Sequence, residues 1–299
     1  QLGNEAKEVL VASDQHKNIS VLYNRNIAVS DSERAEYERV MDSETKKTVR
    51  KLIKSIGAVI RDVAEEDERR NLPYGELIYA EEAYRRDKKF FGDRRLPGDT
   101  PDIALSILVD ESGSMNWSGK RDAACKAAAM LYEFATGLHF PVCVSGHTTR
   151  WANEVRYDLF ADFDNISNLD RYRLMKITAD DCNRDGCAIE IAAAHLHARP
   201  EKIKMLIVVS DGLPNDPDAT SVNGERYVDD VARNDVRNIV HRWRKKGLEI
   251  VAFAIDCGEA GKSVFDFMYG AENVVDIQNI ATLPKRMTRI FKKRVEREL

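Results

Sequence analysis

A chain of 299 residues, 43% hydrophobic and 32% charged, is long enough for one large domain or a domain with an appendage, and has the balance of a soluble globular protein. Its net charge of -4 excludes a general nucleic-acid binder, which needs a basic surface to neutralise phosphates. No apolar run approaches a membrane span, and no secretory core stands near the start. The chain opens on Gln1 rather than Met, as expected of a piece of a longer protein. Five cysteines without a CxxC pair favour free thiols in a reducing compartment, so a cytoplasmic location is expected. Cys182 and Cys187 lack the second close pair or nearby His that a zinc site uses.

Residues 31–68 are strongly charged. They still place Val40, Leu52, Ile53, Ile56, Val59, Ile60 and Val63 at helical spacing, which predicts one long helix or two shorter ones. Ser30-Asp31-Ser32 offers the N-cap. Pro73, Gly75, Gly92, Pro97, Gly98 and Pro101 then punctuate the chain. Between them we expect a short strand near Leu77, a helix over 81–86 and a strand over 89–96. Residues 1–100 are expected to form a helical N-terminal segment packed on a main domain of residues 101–299.

From Asp102 the rhythm becomes strand, helix, strand. Residues 103–109 (IALSILV), 204–210 (KMLIVVS) and 248–255 (LEIVAFAI) are continuous apolar runs, as in strands buried on both faces. Residues 120–138, 186–198 and 226–246 read as helices, the last ended by Gly247. Residues 142–146 and 154–160 read as strands with hairpin-like spacing, 273–277 as a short strand, and 279–299 as a final helix. This pattern defines an α/β class: a doubly wound, mostly parallel sheet with 154–160 as one antiparallel edge strand.

Such sheets bind ligands beyond the carboxyl ends of their strands. The first buried strand runs into DESGSM, so Asp110, Ser112 and Ser114 fall at alternate positions and face one way if the loop is extended. The strand over 204–210 runs into SDGLPND, with Asp211 at its tip. Between them the loop ADDCNRDGCAIE carries Asp180, Asp181 and Asp185 into a helix. Carboxylates and hydroxyls are hard donors, suited to Mg²⁺, Ca²⁺ or Mn²⁺ rather than zinc or copper. A cation there would offset the repulsion between Asp110 and Asp211. With two neutral hydroxyls among its ligands it would stay electrophilic and could take one more oxygen from outside.

Asp-x-Ser-x-Ser after a buried strand, a helix, a second loop, and then Ser-Asp-Gly at a later strand resembles the von Willebrand factor A (VWA) domain. The resemblance covers about residues 102–299. It implies a Rossmann-like VWA fold with a metal-ion-dependent adhesion site (MIDAS), in which Asp110, Ser112 and Ser114 match the first loop and Asp211 the third. Many VWA domains carry Gly-Gly-Thr in the second loop, with the Thr on the metal. Here Asp185-Gly186-Cys187 puts a soft thiol near that place, and Asp185 is the better ligand, with Asp180 and Asp181 competing. The Asp-Gly variant, with LPGD and DESGSM, is most similar to the C-terminal VWA domain of the cobalt-chelatase subunit CobT and the nitric oxide reductase activation protein NorD. That subgroup implies a MoxR-type AAA+ ATPase partner.

Plainer readings stand beside these. Ser114 can cap the following helix, and Ser210 and Asp211 can shape a turn with Gly212 and Pro214. Asn215 and Asp216 read as loop-shaping residues, and Glu111 as a solvated rim residue pointing away by alternation. His139, His147, His195 and His197 read as structural. Trp117 and Trp151 fall on the loop face, as interface residues or half-buried anchors. The basic run KRMTRIFKKRVEREL reads as a solvated helix face. GxSxG and GxxxxGK[ST] are absent. The best enzymatic rival is a Mg²⁺-dependent phosphatase of haloacid-dehalogenase type, but the position of its general acid is Ser112 here. The expected function is a non-enzymatic, metal-dependent protein-binding module whose partner supplies an Asp or Glu to the metal.

Overall fold

The structure, a computed structural model, describes residue 8 and residues 10–64, 67–84, 86–95, 102–151, 153–220, 224–277 and 283–295. It opens with strand β1 (Ser20–Asn24) and helices α1 (Asp31–Val40) and α2 (Ser43–Ala64). Ser30 caps α1 in a capping box, its amide donating to Glu33 Oε2 at 2.7 Å. Strands β2 (Asp67–Leu72), β3 (Leu77–Ile78) and β4 (Phe91–Arg95) form a small antiparallel sheet in the order β2-β4-β3. The helix expected over 81–86 is instead a single 3-10 turn at Ala80–Glu82. Tyr79 N donates to Phe90 O at 2.9 Å, so this stretch closes the hairpin between β3 and β4.

The main unit follows as β5 (Ile103–Asp110), α3 (Lys120–Gly137), β6 (Val142–Trp151), β7 (Glu154–Ala161), α4 (Asp170–Arg173), α5 (Asp185–His197) and β8 (Ile203–Ser210). It continues with β9 (Asp216–Thr220), β10 (Arg226–Tyr227), α6 (Asp229–Lys245), β11 (Leu248–Ala254), α7 (Gly258–Tyr269), β12 (Val274–Asp276) and α8 (Leu283–Val295). The expected final helix over 279–299 is described as α8, residues 278–282 and 296–299 lying outside the described residues.

The central sheet has seven strands in the order β1-β7-β6-β5-β8-β11-β12. Strands β6, β5, β8, β11 and β12 run parallel, and β7 pairs antiparallel with β6, as the alternation of 154–160 led us to expect. β7 is not the outermost strand, however. β1 pairs with it in parallel, Val21 opposite Val155, and takes the edge. The segment SVLYN alternates between exposed and half-buried positions, so it lacks the apolar run of an inner strand.

Alternate residues of β5 feed two cores. Ile103, Leu105, Ile107 and Val109 join the one that includes residues of α2, α3 and α8; Ala104 and Leu108 join the one under α5, α6 and α7. The N-terminal helices share the first core: Leu52 and Ile56, one turn apart on α2, are fully buried with Phe134 and Phe291. Leu52→Ala should cost about 2–5 kcal/mol by chemical denaturation. A cost below about 1 kcal/mol would mean that α2 is peripheral to the fold.

Candidate metal centre

Strand β5 delivers its last residue, Asp110, to the carboxyl edge, where the chain turns through Ser112 into a 3-10 turn at Gly113–Asn116. Asp110 Oδ1 accepts the Ser112 amide at 2.9 Å, which folds the loop back over the strand end, and the Ser112 and Ser114 hydroxyls lie 3.0 Å apart. The second loop is bound to the first by its backbone. Gly113 N donates to Asp181 O at 2.6 Å and Asp180 N to Glu111 O at 2.7 Å. The third loop is bound to the second by reciprocal amide–carbonyl bonds between Asn183 and Asn215, both 3.1 Å. Side chains complete the closure. Ser210 Oγ donates to Asp110 Oδ2 at 2.8 Å, and the Asn183 amide donates to Asp110 Oδ2 at 3.2 Å and Asp185 Oδ1 at 3.0 Å.

Of the three acids in the second loop, Asp185 is the one carried inward. It is the first residue of α5, where a carboxylate suits the positive end of the helix dipole. Tyr227 fixes this helix start: its hydroxyl accepts the Gly186 amide at 3.1 Å and donates to Asp235 at 2.8 Å. Glycine at 186 leaves room for that pair: a Cβ would stand 2.0 Å from Asp235 Oδ2 and oblige the carboxylate to shift. Asp180 is exposed and taken by Arg156 Nη1 at 2.6 Å, and Asp181 is exposed. Cys187 is buried in the core under α5, away from the loops, where burial pushes its thiol up to about 12.

Two side chains here were not singled out in the sequence, and a third was named there in another role. Lys120 Nζ lies 2.9 Å from Asp211 Oδ2. Asn183 bridges two of the carboxylates, as above. His147, read as structural, is opposite Asp110 in the β5–β6 register, and its Nε2 lies 3.7 Å from Asp185 Oδ1. Glu111 corrects another expectation. It does point away from the loops, but it is fully buried and accepts from Thr178 N at 2.7 Å, because the chain leading into the second loop crosses that face. Burial and nearby Asp158 push its carboxyl well above the usual range.

Asp110, Asp185 and Asp211 are all buried. Burial, then Asp211, pushes Asp110 up to about 6. Burial, then Asp110 and Asp211, pushes Asp185 well above the carboxylate range. Burial lowers His147 to about 3, so the ring is neutral. Asp185 Oδ2 and both His147 ring nitrogens are buried without a hydrogen-bond partner. Lys120 offsets only Asp211, so ionising Asp110 and Asp185 as well needs a further positive charge. Hard oxygen donors, mutual repulsion and orphaned buried atoms therefore all fit a divalent cation. The loops open on a cleft of about 660 Å³ whose lining includes Ser112, Ser114, Lys120, Asp211 and Leu213. Leu213 is 52% exposed, and Trp117, on the turn after Ser114, is 72% exposed, which settles it as a surface residue rather than an anchor. The side chain of Trp151 lies outside the described residues.

A mostly parallel sheet covered on both faces, with its oxygen-bearing loops gathered at the carboxyl edge, defines a VWA-type fold. Residues 170–260 match the family described as the cobalamin biosynthesis protein CobT VWA domain. An uncharacterised protein of Pseudomonas aeruginosa, PA0525, is 26% identical over 198 residues, covering 64% of this chain and 31% of that protein. The protein NorD of Brucella abortus is 26% identical over 198 residues, covering 64% of this chain and 30% of NorD. The chain thus spans about a third of the length of these relatives. Among solved structures, the PilB minor pilin of Streptococcus sanguinis shares the fold at TM-score 0.50 and 14% identity, covering 70% of this chain and 66% of that one. The vWF domain of the pilus tip protein Mfa5 of Porphyromonas gingivalis does so at TM-score 0.50 and 11% identity, covering 66% and 97%. Over part of its length the chain is thus similar to the CobT VWA domain and to NorD, and its fold is of the VWA type. Among the described residues no helix is long and apolar enough to cross a membrane.

Proposed function

We propose that the chain is a metal-ion-dependent protein-binding module of the MIDAS kind and not itself an enzyme. Asp110, Ser112, Ser114, Asp185 and Asp211 would hold one Mg²⁺ (or Mn²⁺ or Ca²⁺). The ion would supply a Lewis-acid position for an Asp or Glu of the protein partner. One observation carries this reading: hydrogen bonds tie three loops far apart in sequence together at the end of β5, with Ser112, Ser114 and Asp211 lining the cleft and Asp110 and Asp185 buried and bridged by Asn183. The protein's own part is to preorganise the acceptors, keep Lys120 on Asp211, and present Trp117 and Leu213 beside the cleft as apolar contacts.

The likeness to CobT and NorD supports a cytoplasmic adaptor for a MoxR-type AAA+ ATPase, acting in metallocofactor insertion or enzyme activation. The phosphatase alternative is disfavoured by position: the residue two after Asp110 is Ser112, whose hydroxyl meets that of Ser114 and cannot serve as a general acid near neutral pH. Titration calorimetry should show Mg²⁺ or Mn²⁺ binding in the wild type and none in Asp110→Ala. A pull-down with a MoxR-type ATPase should succeed with Mg²⁺ and fail in EDTA. Unchanged cation affinity in Asp110→Ala would refute the site. Metal-dependent hydrolysis of a generic phosphate ester that disappears in Asp110→Asn would favour the enzyme instead.

A further inference from the structure

We propose that His147 donates a ring nitrogen to the cation held by the three loops, so that the site selects a first-row transition ion such as Mn²⁺ or Co²⁺ over Mg²⁺ and Ca²⁺. This rests on the metal-site reading above. His147 stands fully buried on β6, opposite Asp110 in the parallel register with β5. Neither of its ring nitrogens has a hydrogen-bond partner. Buried polar atoms nearly always have one, and leaving one without costs about 1–3 kcal/mol, so an orphaned imidazole in a well-bonded loop cluster needs an explanation.

The geometry supplies one. Nε2 is 3.7 Å from Asp185 Oδ1, too long for a hydrogen bond. Two donors on one ion, with bonds of about 2.1 Å at octahedral or tetrahedral angles, sit roughly 3.0–3.4 Å apart, within a small movement of that spacing. Asp185 Oδ2 is also buried and unpartnered. One ligand atom each from Asp110, His147 and Asp185 lies within 4.8 Å of the others, and all three residues are buried. A single cation among them gives the imidazole Nε2 a partner and offsets the charge of the two carboxylates. An all-oxygen set discriminates weakly among hard divalent ions. An imidazole nitrogen shifts preference along the first-row series, away from Mg²⁺ and Ca²⁺.

The test combines calorimetry with Mg²⁺, Mn²⁺ and Co²⁺ on the wild type, His147→Gln and Asp110→Ala, and pulsed electron paramagnetic resonance on the Mn²⁺-loaded wild type. The expected result is Co²⁺ affinity at least tenfold above that for Mg²⁺, a ratio that falls about tenfold in His147→Gln while Mg²⁺ affinity changes less than threefold. Bound Mn²⁺ should show ¹⁴N modulation from a directly bound imidazole. Mn²⁺ binding that Asp110→Ala abolishes, but with no ¹⁴N coupling in the wild type, overturns the role of His147 and leaves the three-loop site standing. Mn²⁺ binding that Asp110→Ala does not weaken, or no binding of any of the ions, overturns the site itself and the proposal with it. If His147→Gln does not fold, the resonance measurement on the wild type decides.

Discussion

Asp110→Asn should abolish the thermal stabilisation that a divalent cation gives the wild-type chain. An ion at about 100 times its Kd stabilises the folded state by about 2.7 kcal/mol. At roughly 2–4 °C per kcal/mol for a chain of this size, that is a shift of about 5–10 °C. Asp110 sits where all three loops meet, accepting from Ser112, Asn183 and Ser210. Asparagine keeps the shape and one acceptor oxygen but removes the charge. In the metal-free protein that charge is a burden, because burial and Asp211 push Asp110 up to about 6. The sign follows. A carboxyl raised on folding stabilises the fold only while protonated, so its contribution is complete at acid pH, below the ordinary carboxylate range, and is lost as pH rises through about 6. At pH 7.5 the metal-free wild type bears the full cost and Asp110→Asn does not. The amide also turns its NH2 toward the donor of Ser112 or of Asn183, which offsets part of this relief, so the diagnostic is that the variant gains nothing from added Mg²⁺ or Mn²⁺. A variant that keeps the cation-dependent shift would show that the ion binds elsewhere.

Gly212→Ala should have the largest effect on stability of any single methyl addition near the site. Gly212 has φ +101°, a conformation that strains an L side chain, and an added Cβ would lie 2.3 Å from Phe265 Cε2 on α7. Phe265 is fully buried, so the ring has little room to yield. Overpacking costs about 1–3 kcal/mol and the backbone strain of order 1–3 kcal/mol more. The damage also reaches the site. Gly212 N donates to Ser210 Oγ at 2.9 Å, and that hydroxyl donates to Asp110. Chemical denaturation should show a loss of at least about 2 kcal/mol, and calorimetry at least tenfold weaker cation binding. Gly247→Ala is the control: its φ is +93°, but nothing lies within 4 Å of the added Cβ, so strain acts alone and binding is unchanged. Equal effects in the two variants would mean that the third loop is not held against α7 as described.

The order of buried strands was legible because each inner strand must be apolar on both faces, and DESGSM and SDG follow directly on such runs. Other features depend on the fold and have no local signature. Residue spacing cannot choose among Asp180, Asp181 and Asp185. Arg156, from a strand distant in sequence, takes Asp180, while the start of α5 turns Asp185 inward. The approach of Lys120 to Asp211 spans 91 residues, and that of His147 to Asp110 depends on the register of two parallel strands. Alternation correctly turns Glu111 away from the loops, but it does not reveal that residues leading into the second loop cover that face. Helix α7 was not anticipated, because Gly258 and Gly261 interrupt its first turn while Val264, Phe265 and Met268 carry the helical spacing. Strand β1 escaped notice for the opposite reason: an edge strand buries too little to be apolar throughout.

The central claim is that one divalent cation sits where the three loops converge. Anomalous scattering from a crystal of the wild-type chain grown in Mn²⁺ tests it most directly. The account predicts a strong manganese peak bounded by Asp110, Ser112, Ser114, Asp185 and Asp211. A map with no peak among those residues at saturating Mn²⁺, or with its strongest peak at another group such as Cys143, Asp162 and His195, would contradict it.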